Sequence, residues 1–102
     1  MNIDWLGWNN IVDKKKFILD FAVKYNLTIM DLYKSTVKEI LNNDMNGIKY
    51  DKYLNILENI LKIGMDTKAI NIDELDFNKI DFNIFRLINS TKPSLHLIKE
   101  ET

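Results

Sequence analysis

The sequence predicts a mainly α-helical fold, a small bundle of three to four helices that allows a short β-hairpin at the C-terminus. Three segments between residues 14 and 63 repeat apolar side chains at the three- and four-residue spacing of a helix that faces a core. The chain has 102 residues, 46% of them hydrophobic, which suffices for one core. We therefore expect residues 1–102 to form a single domain.

Two tryptophans stand near the N-terminus, on either side of Gly7. The three-residue spacing of Trp5 and Trp8 puts both indoles on one side of a helical turn. One interpretation is that the two rings cap the core. The other is that they form an exposed aromatic anchor for a partner protein, because tryptophan is enriched at interface hot spots.

The first two predicted helices have clear end signals. Asp13 is a suitable N-cap for a helix over residues 14–25, and Asn26 is a suitable left-handed terminator. Thr28 then caps a second helix, with Asp31 near the positive end of its dipole. The second helix carries an extended apolar set: Ile29, Met30, Tyr33, Val37, Ile40 and Leu41.

The third helix has the strongest periodicity in the chain. The run NNDMNG over residues 42–47 ends the second helix, and Asp51 is expected to cap the third. We expect this helix to end at Ile63, with Gly64 as its C-terminal glycine.

The last third of the chain is ambiguous. Ile80, Phe82 and Ile84 alternate as in a strand, whereas Phe77, Ile80, Ile84, Leu87 and Ile88 fit a helix almost as well. We favour a fourth helix or an irregular segment. The run NSTKP at residues 89–93 indicates a turn, after which SLHLIK could pair back as a short strand.

Few side chains suited to catalysis are present. The chain has no cysteine, one histidine (His96), one arginine (Arg86) and three glycines, and it contains no phosphate-loop, dinucleotide or zinc motif. We expect a protein that is not an enzyme and needs no cofactor or metal. The acidic residues Asp73, Glu74, Asp76 and Asp81 are then best explained as a surface for a basic partner.

One loop is partly similar to an EF-hand calcium loop. Its first, third, fifth and sixth positions are Asn42, Asp44, Asn46 and Gly47. Its twelfth position, however, is Tyr53 instead of the bidentate glutamate. We expect these residues to act as a turn and helix caps.

Residues 16–65 contain FAVKYNLTIMDLYKST and NGIKYDKYLNILENILKIG, which resemble the helix-turn-helix domains of phage Cro and repressor proteins. In one alignment, LTIMDLYKST precedes the turn, and the residues that should form the turn are missing after Thr36. In the other, Ala22, Asn26 and Leu32 take the small, turn and core positions. Its recognition helix would expose Ile29, Met30, Tyr33 and Lys34, a surface too apolar to read base edges. The DNA-contacting candidates under this resemblance are Lys34, Lys38, Asn42 and Asn43.

Charge and composition favour a protein partner. The net charge is −1, whereas nucleic-acid binders usually carry a basic excess. The N-terminus lacks the pattern of a secretory signal, and no apolar run could span a bilayer, so we expect a cytoplasmic protein and no membrane partner. Abundant Asn, Ile, Lys and Asp are typical of a low-GC genome, such as that of a bacterium, phage or mobile element.

The sequence thus favours a small protein-binding regulator of the inhibitor, immunity or antagonist type, whose partner is a host or cognate protein. The expected contact residues are Trp5, Trp8, Ile29, Met30, Tyr33, Asp73, Glu74 and Asp76. The apolar surplus of the second helix also suits a homodimer. The first alternative is a DNA-binding transcriptional regulator on a degenerate helix-turn-helix scaffold, and the second is a structural component of a larger particle.

Overall fold

The computed structural model describes residues 5, 7–76 and 78–90, without the side chains of residues 89 and 90. It contains four helices, joined by short connections and two 3-10 turns. The helices are α1 (Lys14–Lys24), α2 (Ile29–Asn43), α3 (Gly47–Asp66) and α4 (Lys79–Ser90). No strand occurs among the described residues. The predicted helical bundle is confirmed, with four helices.

The starts of α1 and α2 follow the predicted caps. The Asp13 side chain accepts a hydrogen bond from the backbone N–H of Lys16 at 3.0 Å. Thr28 and Asp31 form a reciprocal capping box, in which the Thr28 hydroxyl accepts from the Asp31 backbone at 2.9 Å. Asn26 has a φ of 54°, so the predicted left-handed turn before α2 is confirmed.

Helix α3 is longer than the sequence predicts. It begins at Gly47, after the extended residue Asn46, and continues to Asp66. Gly64 is therefore not a C-terminal glycine but a buried residue inside the helix. A Cβ atom at this position would overlap the side chain of Ile70, so the glycine lets the chain that follows α3 fold back tightly against it. The C-terminal cap is Thr67 instead.

Helix α3 is the centre of the bundle, because it packs against each of the other three helices. Its fully buried side chains are Ile56, Leu57, Ile60 and Leu61. They repeat at helical spacing, and α2 makes its most extensive packing with this helix. The remaining helices therefore take their positions from α3.

The two tryptophans lie in the core. Trp5 and Trp8 are buried and meet edge to face, with ring centroids 5.5 Å apart. The Trp8 indole Nε1 donates a hydrogen bond to Asn55 Oδ1 at 2.9 Å. Phe17 and Phe21 complete what we call the aromatic cluster. Of the two interpretations of these indoles, the structure shows the core one, and neither ring is exposed as an anchor.

Helix α4 resolves the ambiguous segment as helical. Ile80, Ile84 and Ile88 repeat every four residues and all three are buried, whereas a strand would have turned Phe82 to the same face. Residues 89 and 90 still belong to α4, so the turn predicted over residues 89–93 does not begin there. The predicted hairpin strand and His96 lie outside the described residues.

Candidate functional site

A cleft of about 260 Å³ lies between α2 and the segment that leads into α4. We call it the α2–α4 cleft. Its α2 wall consists of Tyr33, Lys34, Val37, Lys38, Leu41 and Asn42. Its opposite wall consists of Leu75, Asp76, Asn78 and Asp81. The cleft is thus lined by apolar side chains and by charged side chains of both signs.

The rim on the α2 side follows directly from helical spacing. Lys34, Lys38 and Asn42 recur every four residues and are all exposed on one face of α2. Asn43 is also exposed, but its side-chain amide donates back to the Glu39 carbonyl at 2.8 Å. Three of the four residues named as DNA contacts therefore share one wall, and the fourth does not line the cleft.

The floor of the cleft contains a buried hydrogen bond between helices. The Tyr33 hydroxyl donates to Asp81 Oδ1 at 2.7 Å, and both side chains are buried. Burial, helped by the hydrogen bond to Asp81, raises the pKa of Tyr33 far above the usual range for tyrosine. Tyr33 therefore keeps its proton at neutral pH and remains a donor to the carboxylate.

Asp81 owes its position to the start of α4. The Asn78 side-chain oxygen accepts hydrogen bonds from the backbone N–H groups of Ile80 and Asp81, at 2.9 and 3.0 Å. Asp81 consequently lies in the first turn of α4, where the helix dipole favours a negative charge. The cap and the dipole together hold a carboxylate at the inner end of the cleft.

Leu41 is the apolar side chain that the fold leaves uncovered here. Val37 and Leu75 are buried, whereas Leu41 is 55% exposed. Leu41 also lines a second hollow of about 450 Å³, which extends toward Met45 and Tyr50. It therefore forms an apolar ridge between two concave surfaces.

Most of the predicted apolar contact face of α2 lies inside the fold. Ile29 and Tyr33 are buried in the core and Met30 is half-buried, because α2 packs this face against the rest of the bundle. The exposed recognition surface assumed in the second helix-turn-helix alignment is therefore absent at Ile29 and Tyr33. Leu41, by contrast, belongs to the same predicted stripe and is exposed.

The three acidic residues predicted to contact a partner lie on the surface of the protein. Asp73, Glu74 and Asp76 are all exposed, but only Asp76 lines the cleft. The sequence groups Asp81 with these surface acids, but the structure buries it in the cleft, because it meets the distant Tyr33.

The loop similar to an EF-hand does not form a calcium loop. Gly47, the sixth position, is already the first residue of α3, so the last seven positions of the motif are helical. Within the part of the chain that the structure describes, no three His, Cys, Asp or Glu side chains are grouped to hold a metal ion. The connection between α2 and α3 is a short turn with Asp44 in the left-handed conformation.

No protein-family model, curated protein or solved structure matches the chain. Among the described residues, no helix has the length and apolar character needed to cross a membrane. The cleft, at about 260 Å³, is smaller than the roughly 300–1,000 Å³ usual for small-molecule sites. Its size suits one or two inserted side chains.

Proposed function

We propose that this protein is a small, non-enzymatic regulator that binds another protein through the α2–α4 cleft and the Leu41 ridge. The exposure of Leu41 between two concave surfaces carries the proposal. Interface hot spots combine an apolar centre with a polar rim that excludes water. Here Lys34, Lys38 and Asp76 supply such a rim around the cleft.

The biological class belongs to the same proposal. An inhibitor, immunity factor or antagonist acts by occupying a surface of a host or cognate protein, which requires a binding face and no catalytic group. The small size and the composition typical of low-GC phages and mobile elements support this class. The proposed site of action is the cytoplasm.

The test is affinity capture with a matched pair of variants. Leu41→Lys introduces a charge on the ridge, and Val23→Lys introduces the same charge on an 81% exposed valine of α1. Both positions lie in the last turn of their helices, so the lysine has a similar effect on each helix. We expect Leu41→Lys to reduce recovery of a specific protein at least about tenfold, and Val23→Lys to leave it unchanged.

Equal recovery by the wild type and both variants would remove the cleft from the proposal. Sedimentation analysis of the same three proteins checks the homodimer. A dimer that Leu41→Lys dissociates, and Val23→Lys does not, would identify a second copy of this chain as the partner.

DNA binding is the second candidate, because Lys34, Lys38 and Asn42 are exposed on one face of α2. The buried Ala22 and the left-handed Asn26 also suit a helix-turn-helix turn. Asp76 and Asp81 line the same cleft, however, and would repel phosphates. A mobility shift of duplex DNA with a steep salt dependence, lost in a Lys34→Ala, Lys38→Ala double variant, would favour DNA over a protein partner.

A further inference from the structure

We infer that the partner inserts one basic side chain into the α2–α4 cleft, where its positive group pairs with Asp81; this inference rests on the proposed protein-binding function. Asp81 is 3% exposed and lines the cleft. Within the described part of the chain, ion pairs join only Lys16 to Asp20 and Lys62 to Glu58. Asp81 is thus a buried carboxylate without a cationic partner among these residues, whereas buried charges are normally paired.

The interactions that Asp81 already makes leave it able to accept more hydrogen bonds. Its side chain receives the neutral hydroxyl of Tyr33 on Oδ1, and the start of α4 provides a favourable dipole. An ionised carboxylate has about four acceptor sites on its two oxygens. A guanidinium or ammonium group entering the cleft would therefore add charge-assisted hydrogen bonds without displacing Tyr33.

The other lining residues fit the shape of a basic side chain. Asp76 adds a second carboxylate on the same wall as Asp81. Val37, Leu41 and Leu75 supply apolar contacts for the aliphatic stem that a lysine or arginine buries behind its charge. The volume of about 260 Å³ admits one such side chain and not a charged segment.

The α2 wall of the cleft restricts which residues of the partner can flank this basic side chain. The exposed Lys34 and Lys38 would repel a second cation and attract a carboxylate. Charge complementarity thus favours a partner segment that has one basic residue next to acidic residues. A polybasic segment would be repelled by the lysines, and a nucleic acid by Asp76 and Asp81.

The test uses acetylated nine-residue peptides with a central arginine, citrulline or glutamate between leucine and glutamate neighbours. Citrulline keeps the shape of arginine without its charge. Binding is followed by the amide NMR signals of the full-length protein. We expect the arginine peptide to shift signals at Leu41, Asn78 and Asp81, and to bind about tenfold or more tightly than the citrulline peptide.

Three variants test which carboxylates of the protein contribute to binding of the arginine peptide. Asp81→Asn keeps an oxygen that can accept from Tyr33, and Asp76→Asn changes an exposed residue and leaves the core intact. Asp81→Asn and Asp76→Asn should each weaken binding of the arginine peptide severalfold. Asp73→Asn, which lies outside the cleft, should leave binding unchanged. If Asp81→Asn does not fold, the Asp81 amide signal of the wild type decides: the arginine peptide should shift it and the citrulline peptide should not.

Two results would overturn the inference: equal or tighter binding of the citrulline or glutamate peptide, or no binding of the arginine peptide at the cleft. Neither result would decide the proposed function, which the Leu41→Lys and Val23→Lys capture tests separately. Equal recovery of the partner by Leu41→Lys and Val23→Lys in that capture experiment would overturn both the inference and the proposed function.

Discussion

The aromatic cluster and the α2–α4 cleft both contain side chains that the sequence singled out for partner contact, yet the fold uses them differently. In the cluster, Trp8 is fully buried and its indole N–H is bonded to Asn55. In the cleft, Tyr33 is equally buried, but Leu41 two turns further along α2 remains exposed. One region is closed, and the other is open at one end.

The difference shows that the neighbours of a helix face decide whether an apolar stripe becomes core or surface. The N-terminal part of the α2 stripe is covered in the bundle, since Ile29 and Tyr33 are buried. At Leu41 the adjoining elements leave concave surfaces on both sides. The same helix therefore contributes to the core in one part and leaves an apolar side chain exposed in another.

The largest expected effect lies in the closed region. Trp8→Ala removes a fully buried indole and should lower the free energy of unfolding by about 3–5 kcal/mol. The loss combines the buried apolar area with the hydrogen bond to Asn55. Denaturant unfolding followed by circular dichroism measures it.

Trp8→Phe serves as the control, because it keeps an aromatic ring in place and gives up the indole N–H. Its cost should be smaller than that of Trp8→Ala. A Trp8→Ala protein destabilised by less than about 1 kcal/mol would mean that the cluster is not a closed core.

An intermediate effect is expected at the buried floor of the cleft. Tyr33→Phe keeps the ring and leaves the buried Asp81 carboxylate without its hydroxyl donor, which should cost about 1–3 kcal/mol of unfolding free energy. The matched control is Tyr25→Phe, because that ring is exposed at the end of α1. Equal stability of the two variants would contradict a stabilising Tyr33–Asp81 contact.

The same pair predicts a pH dependence with a definite sign. The pKa of Tyr33 is raised in the folded protein, so its contribution is complete below the ordinary tyrosine pKa of about 10. Above that pH the unfolded chain releases the proton first, and the contribution is lost. The stability advantage of the wild type over Tyr33→Phe should therefore shrink as pH rises above about 10.

Local signals made most of the fold predictable, and contacts between distant residues made the site unpredictable. The caps at Asp13 and Thr28 act within four residues, so the sequence located α1 and the start of α2 correctly. Gly64 was misassigned because its role depends on Ile70 folding back against α3. Likewise, no local pattern reveals that Asp81 meets Tyr33 across 48 positions.

The smallest expected effect on stability falls on the open region. Leu41→Lys should change the free energy of unfolding by less than about 0.5 kcal/mol, because the residue is 55% exposed and lysine has a similar helix propensity. Its position near the C-terminus of α2 also favours a cation. Denaturant unfolding beside Val23→Lys measures the difference. A loss above about 2 kcal/mol, as expected for a buried leucine, would show that Leu41 belongs to the core and that the cleft is closed in solution.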